Sequence, residues 1–165
     1  MDPKNIRALS GLNILYSEHR FDFDRALELS LKRLEIERSI GAKASVAENY
    51  IEVGQYEKGR RYAVEAIHEA KDGDVDLQCL PQFLVLCSYL LSGEATNKEV
   101  TQFFDYYRNL KEDFRLDEPY WSFRGLIHFI NKSNSNVQTK FLLATLIDLI
   151  QGRIDRQKLS FFQAM

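Results

Sequence analysis

The sequence predicts an all-α fold in which about nine helices stack as antiparallel pairs within a single domain. Three observations lead there. Apolar residues recur at helical spacing over most of the 165 residues, and no strand-like alternation with turn signals on both sides appears. Only three prolines and eight glycines punctuate the chain, too few for the many turns of an all-β protein. The helical segments are joined by about two to six residues, and short links between long helices make neighbours antiparallel.

The elements follow in order. A first helix is expected near residues 4–19. The second starts at Asp24, capped by Asp22 or Asp24, and carries Ala26, Leu27, Leu29, Leu31, Leu34 and Ile36 among charges; Gly41 follows its end. Val46, Ala47, Tyr50, Ile51 and Val53 mark a third helix that stops at Gly54. A fourth runs from Tyr56 to Ala70 and ends in the turn Lys71-Asp72-Gly73-Asp74. Further helices are placed near 76–92, 98–112, 118–131, 135–151 and 154–164. The run Phe103, Phe104, Tyr106 and Tyr107 circles a helix, so some of its rings are expected outside one core or over a neighbouring element. Leu159, Phe161 and Phe162 suit a C-terminal capping helix, or else a contact with another protein or with another copy, which would make a homodimer through the C-terminal helices.

Composition limits function. An apolar fraction of 45% with 28% charged residues is that of a globular protein. Lys+Arg number 22 against 24 Asp+Glu, and a net charge of −2 recruits neither nucleic acid nor an anionic membrane. The apolar runs Leu80–Leu91 and Phe141–Ile150 fall short of the roughly 20 residues of a membrane span. Met1-Asp2-Pro3-Lys4 does not read as a secretory leader. Cys79 and Cys87 would lie about 12 Å apart on one helix, too far to bridge, so buried free thiols and a cytoplasmic location are expected.

The search for catalytic chemistry finds little. Glu65 and His68 have the Glu-x-x-His spacing of di-iron bundles, but the second copy that such sites need is missing. His19, His68 and His128 fall on separate helices, and neither cysteine belongs to a zinc pattern. No phosphate-cradling glycine loop or nucleophile elbow occurs. No cofactor, no metal and no enzymatic activity are expected. Lys58, Arg60 and Arg61 beside Tyr56 and Tyr62, with Lys32, Arg33 and Arg38 earlier, could track a nucleic-acid backbone. Glu35, Glu37, Glu57 and Glu65 share those helices and neutralise the stripe, so a solvated face is the expectation.

Small residues recur across the turns. Ala47, Gly59, Ala63 and Ala66 are separated by 12, 4 and 3 residues, and the same steps run Ser88, Val100, Phe104, Tyr107 and Gly125, Val137, Phe141, Ala144. The pattern resembles the tetratricopeptide repeat, a helix–turn–helix unit of 34 residues. Ile40 to Lys71 is the closest match, through Ala47, Tyr50, Gly54, Tyr56, Gly59, Ala63 and Ala66. Residues 118–151 match through Trp121, Gly125, Phe141 and Ala144, and residues 81–112 less well. The spacing between candidate repeats is irregular, and Lys71, Glu112 and Leu149 stand where the family usually has proline.

The resemblance implies a right-handed superhelix and a non-catalytic adaptor that holds a peptide or protein segment in its concave groove. The residues it places on that face are Ala44, Glu48, Ile51 and Glu52, then Gln82, Val85, Tyr89 and Ser92, then Ser122, Leu126, Phe129 and Ile130. The Lys, Asn and Arg side chains with which family members clamp an acidic C-terminus are absent from these places. Glu48 and Glu52 are like charges at i and i+4, either solvated or forming the acidic end of an apolar groove suited to a hydrophobic segment with Lys or Arg. A sensor or accessory subunit of a regulatory system is the alternative function, and a small helical enzyme or metal protein a more remote one.

Overall fold

The computed structural model describes residues 5–70, 75–116 and 121–155. Among them are eight α-helices, one π-helical segment and no strand. The order is α1 (Ile6–Ile14), the π segment (Leu15–Arg20), α2 (Phe23–Ile36), α3 (Ile40–Glu52), α4 (Tyr56–Glu69), α5 (Val75–Ser92), α6 (Asn97–Arg108), α7 (Arg124–Lys132) and α8 (Val137–Ile150). The expected helix 154–164 lies almost wholly outside the described residues, and Ile154 and Asp155 are not helical.

Side chains at the helix starts explain most of these boundaries. Asn5, Asp22, Ser39 and Asn136 each accept a hydrogen bond from the backbone N–H three residues on, at 2.8–3.2 Å. Thr96 and Glu99 form a reciprocal capping box at the start of α6. Gly54 and Gly93 end α3 and α5 with φ of 76° and 75°, a left-handed turn that side-chain-bearing residues resist.

Two boundaries correct the sequence reading. Helix α6 stops at Arg108, and Leu110 turns inward beyond it to become buried. Helix α7 starts at Arg124 instead of 118, because residues 121–123 are not helical and Phe123 is drawn into the core. The first helix also changes type after Ile14, where hydrogen bonds to the fifth residue back replace the α-helical ladder. Phe21 ends that segment at φ 54°, a left-handed conformation unusual for a residue with a side chain.

Helices α1 to α5 pack each against the next, α3 also meets α5 and α7, and α7 returns to the π segment. Helix α3 is therefore covered on nearly every side. Small residues permit this: Ala42, Ala44, Ser45 and Ala47 are all buried along it. The α3–α4 crossing is close, since a Cβ on Gly59 would lie 2.8 Å from both the Ala47 carbonyl oxygen and Ile51 Cγ1. The aromatic run of α6 folds inward more fully than expected: Phe103, Phe104 and Tyr107 are buried and Tyr106 packs against the same core. Tyr107 donates its hydroxyl to the Leu149 carbonyl at 2.9 Å, which ties α6 to α8. Cys79 and Cys87 are buried on α5 and are not joined in a disulfide. No helix among the described residues is long and apolar enough to cross a membrane.

Candidate functional site

A seam of polar side chains runs through the middle of this helical core. It begins on the first helix, where Ser10, Asn13 and Ser17 follow one another at spacings that share a face. Asn13 Nδ2 donates to the Ala26 carbonyl at 2.8 Å and to Asn49 Oδ1 at 2.7 Å. Asn49 Nδ2 donates in turn to Glu52 Oε2 at 2.8 Å. The hydroxyl of Ser17, carried inward by the π segment, donates to the Glu52 carboxylate at 3.0 Å. From the loop before α7, the Trp121 indole N–H donates to Glu48 Oε2 at 3.1 Å. Gly125 lets α7 approach: a Cβ there would fall on Glu52 Oε1 and Ser17 Oγ, and 2.9 Å from the Ser17 carbonyl oxygen.

Glu48 and Glu52 are 8% and 2% exposed. Neither is solvated, so the first of the two readings of this pair does not hold. Burial, opposed by the hydrogen bonds from Asn49 and Ser17, pushes the Glu52 carboxyl up to about 7. Burial raises Glu48 well above the usual carboxylate range, with the charges of Glu52 and Glu18 adding to the effect. A neutral carboxyl is the cheap way to keep such a group out of water. The Cys87 thiol, deep in α5, is raised by burial and by these same two carboxyls.

Cavities lie on two sides of the seam. A groove of about 1020 Å³ opens at one end of the helices, where the starts of α2, α4 and α8 meet the ends of α3, α5 and α7. Phe23 and Tyr56 pack edgewise on Phe129 within it, and Phe21, 38% exposed, stacks on His128 at 3.8 Å. Asp22, Asp24, Arg20 and Lys132 supply charge to its lining, and Glu52 reaches it from the seam. An inner cavity of about 300 Å³ lies between the first helix, α2, α3 and Trp121, with Glu48 in its wall.

The residues assigned to a concave face are thus divided. Glu52, Ser92 and Phe129 meet in the groove, and Glu48 and Ser122 line the inner cavity. Ala44, Ile51, Leu126 and Ile130 are core residues. Gln82, Val85 and Tyr89 are partly exposed on α5, where Val85 backs the core and Tyr89 lies 3.7 Å beneath the Arg60 guanidinium. Ser17, Asn13 and Asn49 escaped the sequence reading, and Arg33 entered it only as part of a solvated basic stripe. Their one available signal is polar residues at helix-face spacing, Ser10–Asn13–Ser17 and Asn49–Glu52, on helices otherwise buried. Among the described residues no group of three His, Cys, Asp or Glu side chains is placed to hold a metal. No family model, curated protein or solved structure matches this chain.

Proposed function

We propose that the chain is a non-catalytic interaction module, tetratricopeptide-like in its α3–α4 unit, that holds a segment of another protein in the groove at the helix ends. The observation that carries this reading is the groove itself. Its volume of about 1020 Å³ stands at the upper limit for small-molecule pockets, and it joins aromatic walls to charges of both signs. Phe23, Tyr56 and Phe129 offer an apolar side chain a place to be buried, while Asp24 and Lys132 stand ready for flanking charges. The close α3–α4 crossing at Gly59, with Ala63 and Ala66 buried beside it, supports the repeat-like build. Self-association belongs to the same proposal, since Val137 and Phe141 on α8 are 82% and 58% exposed.

Titration with a labelled basic-amphipathic peptide and an acidic-tail peptide tests the groove. Binding of the basic peptide should weaken in Phe129→Ala and in Asp24→Lys. Equal binding by both variants and the parent, or tighter binding of the acidic tail by the parent, would overturn the assignment.

A further inference from the structure

The inner cavity has the features of a second, separate site. At about 300 Å³ it matches the small end of the range for ligand pockets, too little for a protein segment. Glu48, more than nine-tenths buried, lines it with only one oxygen engaged: Oε2 accepts from Trp121, and Oε1 has no hydrogen-bond partner among the described residues. The charges acting on Glu48 are carboxylates, Glu52 beside it on α3 and Glu18 on the π segment. Cys87, on α5 behind the pair, is a neutral thiol. Among the described residues no lysine or arginine acts on Glu48 or Glu52.

Arg33 of α2 lines the same cavity without acting on Glu48. Its Nε donates to Glu37 at 3.1 Å, and its two terminal nitrogens have no partner among the described residues. The cavity therefore has a carboxyl-rich wall and, apart from it, a guanidinium with free N–H groups. A purely cationic guest would meet the positive charge of Arg33, and a purely anionic one would have no cation to offer the Glu48 carboxyl and would face Glu18. We propose that the cavity binds a small zwitterion of the α-amino-acid class, its ammonium on Glu48 and its carboxylate on Arg33.

The guest's ammonium stabilises the ionised form of Glu48, so binding expels the proton that burial holds there. That proton passes to solvent, and affinity rises with pH until the ammonium itself deprotonates. Trp121 is the only tryptophan in the chain and forms part of the cavity wall, so its fluorescence reports on the site alone.

The full chain is titrated with the common L-α-amino acids one at a time to about 10 mM, a ceiling that still detects millimolar affinity. The readouts are Trp121 emission and calorimetry in two buffers of different ionisation heat. At least one amino acid should give a saturable change with proton release. Its N-acetyl derivative, which lacks the ammonium, should bind about 10- to 100-fold more weakly, as loss of a charge-assisted hydrogen bond implies. Glu48→Gln, which keeps an acceptor for Trp121, should show a similar loss and release no proton. Arg33→Met should weaken the amino acid, whereas the corresponding decarboxylated amine should bind at least as tightly as it does to the parent. The proposal is overturned if no amino acid shifts the emission, if the N-acetyl derivative binds equally well, or if binding proceeds without proton release. Because the N-acetyl and buffer comparisons use the unaltered chain, they decide the matter even if Glu48→Gln fails to fold.

Discussion

Replacing Gly125 with alanine tests how closely α7 is seated on the first helix. The added methyl would fall on Glu52 Oε1 and Ser17 Oγ, and 2.9 Å from the Ser17 carbonyl oxygen, a separation that real Cβ atoms do not tolerate. The carbonyl belongs to the backbone, so rotating the Ser17 side chain away cannot relieve the contact. Overpacking of this kind costs about 1–3 kcal/mol. Displacing Ser17 from a buried carboxyl group adds about 1–3 kcal/mol. The better helix propensity of alanine offsets about 1 kcal/mol. Contacts that share atoms do not add fully, and a net loss of about 2 kcal/mol is expected. In a chain of this size that lowers Tm by about 4–8 °C. Urea unfolding followed by circular dichroism measures it, with Gly11→Ala as the reference. Gly11 lies in α1 with nothing within 4 Å of its Cβ position, so that change should stabilise by about 0.5–1 kcal/mol. A Gly125→Ala protein as stable as Gly11→Ala would refute the packing of α7 against the π segment.

Three further outcomes are expected. The folded-state value of Glu52 is raised from 4.5 to about 7, so it favours the folded state below about pH 4.5 and loses that contribution as pH rises through 7; Glu48, raised as well, acts in the same direction. Unfolding free energies measured between these limits should fall on the order of 3 kcal/mol from Glu52, and Glu52→Gln should flatten the profile. Cys79 and Cys87 should resist a thiol reagent in the native protein and react at the rate of unfolding, since both are buried and Cys87 is held in its thiol form. Tyr107→Phe removes the hydroxyl that donates to the buried Leu149 carbonyl, which keeps the Gly152 N–H at 3.0 Å, and should cost about 1 kcal/mol in the same urea assay.

Much of the helical scaffold was legible because its punctuation is local. Asp22, Gly54 and the Tyr56 start of α4 stand where caps and turns require them, and those boundaries agree to within a residue or so. The π segment was not legible, because periodicity assumes the α-helical repeat and Leu15–Arg20 has no composition that betrays a wider turn. The start of α7 failed for a different reason: Trp121 and Phe123 suit a helix face, yet burial and the bond to Glu48 pull them out of one. The groove residues depended on which side of α3 stays open. Its alanines and serines carried the answer, since a helix so rich in small side chains invites neighbours all round. Glu48 and Glu52 looked like surface charges because i and i+4 carboxylates normally are. Their partners on the first helix and at Trp121 are 35 and 73 residues away, beyond any local pattern.

The return of α7 to the π segment has a consequence for how the chain tolerates change. A stack whose units meet only their neighbours can be extended or shortened at either end, and each unit fails on its own. Here the first helix is answered by a helix more than a hundred residues later, across Ser17 and Gly125. The arrangement is a clasp. Cutting away the first helix would not merely shorten the row: it would strip Ser17 from Glu52 and leave α3, the centre of the molecule, open to water along its carboxylates. Damage to the first helix is thus felt at α7, and the two must be retained or lost together.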